Sequence, residues 1–134
     1  MITIDEMGAM LDEIAAEIPA AIYRELNGGI LLLPQAKLHD RSVGGDLFIL
    51  GEYHVDSRLG RYVAIYYGSF AQVYGGLSAE MIRGKLRDTV KHEFIHHLES
   101  MAGERDLEHS DERHLAEYLA RKHPMQGNDP TQAE

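Results

Sequence analysis

Apolar residues recur at helical spacing in two long stretches, and short apolar runs lie between them. Leu86, Val90, Phe94, Leu98 and Met101 fall on one arc at about 100° per residue. Ser78 is a helix-capping residue ahead of that stretch, and Glu80 is well placed in its first turn. This predicts a long helix with one buried face. Ile4, Met7, Leu11, Ile14 and Ile18 make a second stripe, opposite Asp5, Asp12, Glu13 and Glu17. Thr3 and Glu6 fit a capping box at its start. Pro19 is expected to begin a further short helix through Leu26, ended by Asn27-Gly28-Gly29.

Ile30-Leu31-Leu32-Leu33, stopped by Pro34, fits a buried strand. Gln35 to Gly45 reads as a polar loop. Asp46 to Tyr53 and Arg61 to Tyr67 read as two more strands, with a hairpin turn at Asp56-Ser57-Arg58-Leu59-Gly60. Ser69 is expected to cap a short helix ending at Gly75-Gly76. Ser110 is expected to cap a last helix that ends in Arg121, Lys122 and His123, with Leu115, Tyr118 and Leu119 facing the core. The pattern predicts an α+β fold: about three strands packed against N-terminal helices, the long helix and a C-terminal helix. Residues 1–123 are expected to form one domain, and 124–134 a polar, flexible tail.

Composition narrows the chemistry. Hydrophobic residues are 44% and charged residues 26% of the chain, ordinary for a soluble globular domain. The net charge of −9 argues against nucleic acid or an anionic membrane as partner. There is no cysteine, so a metal site must use His and carboxylate. The acidic start, Met1-Ile2-Thr3-Ile4-Asp5-Glu6, has no signal-peptide pattern, and no apolar run has membrane-spanning length. A cytoplasmic location is the expectation.

The long helix carries His92-Glu93-Phe94-Ile95-His96, an H-E-x-x-H pattern. Residues i and i+4 share a helix face, so His92 and His96 can reach one metal ion. They lie off the apolar arc, within about 60° of Glu99. Glu93 stands beside them as a candidate general base for a metal-activated water. His97 sits about 100° further round and is expected not to ligate. The competing reading is a solvated, His-rich helix face. His54, His109 and His114 read as surface or packing residues. The tyrosines Tyr53, Tyr62, Tyr66, Tyr67 and Tyr74 read as half-buried residues with wet hydroxyls.

A catalytic zinc usually has three protein ligands and a water. Gly103 offers a helix stop, after which Asp106 can turn back to the metal from outside the helix. Glu99, i+3 from His96, shares the face of the two His but approaches along the same narrow strip. Asp106 is the leading candidate. Glu99 follows, then Glu112 or His109.

With the extra His97 after the motif and a downstream G-x-x-D from Gly103 to Asp106, the chain resembles the small bacterial zincin-like metallopeptidases, or minimal zincins. Many of those have H-E-x-x-H-x-x-G-x-x-D. Here Glu99 stands at the compact motif's Gly, and G-x-x-D comes four residues later. Leu26-Asn27-Gly28-Gly29, Gly51-Glu52-Tyr53-His54 and Tyr66-Tyr67-Gly68-Ser69-Phe70 extend the likeness over most of the chain. The resemblance implies a minimal zincin-like fold and a zinc-dependent peptidase acting on a peptide or protein substrate. Zn2+ would be held by His92, His96 and Asp106, with Glu93 catalytic. Two other classes stay open: a metal-stabilised binding module without turnover, and a metal-dependent nuclease, which the acidic balance disfavours.

Overall fold

A computed structural model of the chain describes residues 1–104 and 109–122. Helix α1 (Ile4–Glu17) opens with the expected capping box: Glu6 N donates to Thr3 Oγ1 at 3.1 Å, and Thr3 N donates to Glu6 Oε1 at 2.8 Å. Such a cap contributes about 1 kcal/mol. Met7, Met10, Leu11 and Ile14 bury its apolar stripe. The short helix expected through Leu26 is only a 3-10 turn, Ala20–Tyr23, and Pro19 precedes it. Glu25 has φ 64°, a left-handed conformation that a right-handed helix cannot continue through.

Strand β1 (Gly29–Leu33) is as expected. The expected Asp46–Tyr53 strand is split between two sheets. Its first part is β3 (Phe48–Ile49), which pairs antiparallel with β2 (Lys37–Leu38), a short strand inside the expected loop. Its second part is β4 (Gly51–Asp56). The split follows from burial on two sides. Leu50 enters the main core, whereas Ile49 packs with Ala64 and Tyr66 on the far face of the larger sheet. That sheet has the order β1-β5-β4: β5 (Gly60–Tyr66) is central, parallel to β1 and antiparallel to β4. Along β5, Val63 and Ile65 face the main core and Ala64 and Tyr66 the other side, the period of two that a sheet imposes.

Helix α2 (Tyr67–Tyr74) follows β5 directly, so Ser69 lies inside it and does not cap it. Its buried hydroxyl instead accepts from Lys37 N at 2.9 Å, tying β2 to α2. The long helix α3 (Ala79–Glu104) starts at the expected cap, with Met81 N donating to Ser78 Oγ at 3.2 Å. Its arc Leu86, Val90, Phe94, Leu98 and Met101 is buried in full. The helix runs through Gly103 to Glu104, one residue beyond the expected stop. Helix α4 (His109–Lys122) begins one residue before Ser110 and packs on α3. Ala116 and Leu119, three apart, are the buried pair among its described side chains, and Tyr118 turns outward to 38% exposure in place of the expected core position. Asp106 and residues 124–134 lie outside the described residues.

The fold is therefore α+β, with a small mixed sheet and four α-helices among the described residues. Two features position the site. Among the described residues β4 is an edge strand, so one side of its backbone has no ladder partner within the sheet. Gly51 lets β4 approach α3 closely, since a Cβ there would stand 2.8 Å from Thr89 Cγ2. No helix among the described residues is long and apolar enough to cross a membrane.

Candidate active site

The i, i+4 spacing on α3 brings two imidazoles together. His92 Nε2 and His96 Nε2 lie 3.1 Å apart, with ring planes at 89°. Two nitrogens about 2.0–2.1 Å from one tetrahedral zinc would lie about 3.3 Å apart. The pair therefore fits a shared zinc ion. Glu99 Oε1 is 3.7 Å from His96 Nδ1, the ring nitrogen that does not face His92. Among the described residues no three His, Asp or Glu side chains gather closely enough to hold a metal. Of the expected ligand set, the structure brings His92 and His96 together. Asp106 is outside the described residues, as are the side chains of His109 and Glu112.

Glu93 is fully buried and lines a cavity of about 360 Å³ between α3 and β4. From α3 the lining is Glu93, His96 and Ser100, residues 3, 4 and 7 apart, which one helix face collects. From β4 it is Glu52, Tyr53 and Val55. The cavity is thus a groove along an open strand edge, with a buried carboxylate and an imidazole in its wall.

His97 turns the other way and is fully buried. Its Nε2 meets the Arg24 carbonyl at 2.9 Å, and a carbonyl only accepts, so Nε2 carries the proton. In the neutral ring, Nδ1 then accepts from the Tyr53 hydroxyl at 2.8 Å. Arg61 NH1 donates to the same hydroxyl at 2.8 Å and to Ser100 Oγ at 2.7 Å. This chain of bonds ties α3 to β4, to β5 and to the segment after the 3-10 turn. It links Tyr53 and Ser100, one from each wall of the groove.

Glu52 anchors the opposite wall. Lys37 Nζ and the Tyr66 hydroxyl each donate to its Oε1 at 2.7 Å, and His54 Nε2 lies 3.0 Å from the same oxygen. Burial pushes the Glu52 pKa up, but these three bonds and the Lys37 charge outweigh it and hold the carboxyl below its ordinary value. His54 is half exposed and also stacks on Tyr62, in keeping with the surface role expected of it.

The lowered Glu52 pKa has a consequence for acid stability. A carboxyl whose folded pKa is depressed stabilises the fold above its unfolded value, near 4.5, and loses that contribution as pH falls through the folded value. Urea midpoints of wild type and Glu52→Gln should therefore differ at pH 7 and converge as pH drops below about 4.5. A constant gap down to about pH 3 would show that the ionised carboxylate does not support the fold.

The sequence points to His92, Glu93 and His96, but not to Glu52, Tyr53 and Ser100 in the groove lining or to Arg61, which bonds Tyr53 and Ser100. Ser100 was within reach, since it follows His96 by one helical turn. The other three depend on which strand forms the sheet edge beside α3.

No protein-family profile and no curated protein matches the chain. Among solved structures it is similar to a conserved hypothetical protein from Thermo thermophilus. The two are 32% identical with a TM-score of 0.66, over 77% of this chain and 100% of that one. The chain belongs to the family of that conserved hypothetical protein.

Proposed function

We propose that this chain is a zinc-dependent peptidase with a minimal zincin-like fold. The observation that carries the reading is the His92–His96 pair, with Nε2 atoms 3.1 Å apart, beside the buried Glu93 in a groove under an open strand edge. His92 and His96 would hold the zinc, with Asp106 as third ligand. Glu99 stands behind the His96 ring, where a carboxylate orients a ligand imidazole better than it reaches the ion. Bound zinc supplies an acidified water and a polarised carbonyl.

The chain's own residues do the rest. The open side of β4 offers main-chain donors and acceptors to an extended peptide, which adds as a further strand along the groove. Glu93 accepts the proton of the attacking water and returns it to the leaving amine. Tyr53 directs its proton at His97, so it holds the wall and does not donate to the reacting carbonyl. The Arg61 bonds keep Tyr53 and Ser100 in place while peptide enters.

Metal analysis of the purified protein beside a peptide-library digest tests the reading. About one zinc per chain and zinc-dependent cleavage of unstructured peptides are expected. Cleavage by metal-free protein would overturn it, and so would zinc-loaded protein that cleaves nothing, which the binding-module reading predicts. In zinc titrations Asp106→Ala should weaken binding far more than Glu99→Ala. The reverse order would move the third ligand onto α3.

A further inference from the structure

We propose that Glu52 selects substrates carrying a cationic group, a protonated amine or guanidinium, next to the scissile bond. The inference rests on the peptidase reading for the reaction, but not for the recognition.

All three donors that meet Glu52 converge on Oε1. Among the described residues Oε2 has no protein partner, and it is not among the buried, unsatisfied atoms. One carboxylate oxygen is thus clamped while the other reaches solvent. The side chain is 20% exposed, and the residue lines the groove at the strand edge from the Tyr66 face of β4, opposite the face that Tyr53 turns to α3. Clamping Oε1 fixes the direction of Oε2, so the carboxylate is set for a ligand without first losing side-chain freedom. Among the described residues the groove lining holds two carboxylates and neither Lys nor Arg. The lowered pKa keeps Glu52 ionised at neutral pH.

Lys37 is the cation that competes for this carboxylate. Its Nζ lies 2.7 Å from Oε1 and over the Tyr66 ring at 5.5 Å from the centroid. It offsets part of the Glu52 charge while leaving Oε2 in place. Removing Lys37 should sharpen the preference, whereas removing the carboxylate should erase it. A purely structural Glu52 would give neither result.

The test uses zinc-loaded full-length protein and matched peptides. One pair differs as Lys against norleucine beside the cleaved bond, and the other as a free against an acetylated N-terminus. The cationic member should be favoured in kcat/KM by about ten- to a hundredfold, the size of a hydrogen bond to a charged group. Glu52→Gln should bring that ratio close to one, and Lys37→Met should raise it. The pair that shows the effect tells a side-chain cation from an α-amine. A parallel binding arm needs no turnover: fluorescence anisotropy of the same peptides on Glu93→Gln and on Glu52→Gln/Glu93→Gln. Binding discrimination that disappears with Glu52, in a protein whose zinc-loaded wild type cleaves nothing, supports the recognition and overturns the peptidase reading alone. Cleavage or binding with no charge preference overturns this proposal and leaves the peptidase reading standing. A preference that persists in Glu52→Gln overturns it equally.

Discussion

Glu93→Gln is expected to keep close to stoichiometric zinc and to lose turnover by about 10²- to 10⁴-fold, the usual contribution of a positioned general base. The side chain leaves α3 about 100° from that of His92, beside the imidazole pair and not between its nitrogens. Glu93 is fully buried yet lines the groove, so its side chain stands in a water-poor wall. Glutamine preserves the side chain's size and its capacity to accept a hydrogen bond, but it cannot take a proton. The measurement is zinc content by elemental analysis beside kcat/KM on a cleaved peptide. A metal-free variant would make Glu93 a ligand. A zinc-loaded variant with wild-type turnover would remove its role as base.

His92→Asn and His96→Asn should each weaken zinc binding by more than about a hundredfold, beyond what loss of an outer-shell partner costs. His97→Asn should hold zinc within about tenfold of wild type, although it adjoins His96 in the chain. The contrast follows from direction. The Nε2 atoms of His92 and His96 face each other at 3.1 Å, whereas both His97 nitrogens are engaged with the Arg24 carbonyl and the Tyr53 hydroxyl. Replacing His97 leaves those buried partners short of a bond, so its cost should appear in stability, at about 2–4 kcal/mol for two such groups. Zinc titration and urea unfolding of the three variants separate the effects. Equal zinc loss in all three would show that the imidazole pair is not the metal's cradle. Unchanged stability in His97→Asn would show that the bonds from Arg61 through Tyr53 to Arg24 do not hold the groove.

The local pattern of the chain determined a large part of this protein. Thr3 with Glu6, and Ser78, mark helix starts because capping is chemistry between residues three apart. The arc from Leu86 to Met101 is buried as its period requires. That arc alone places His92 and His96 on another face of α3 and brings their rings together, since i, i+4 proximity is a property of any helix. Tertiary structure decided what depends on partners distant in sequence. Leu50 and Ile49 go to opposite sides of one sheet, which cuts a continuous apolar stretch into two strands. Ser69, a cap by local rules, serves β2 across 32 residues. Tyr118 yields the core to Ala116, because the contact of α4 with α3 selects the face. Glu52, Tyr53 and Ser100 reach one groove only because β4 became the sheet's edge and Gly51 let it lie against α3. Strand order and helix docking are set by the burial of the whole apolar surface at once, so no window of the sequence carries them.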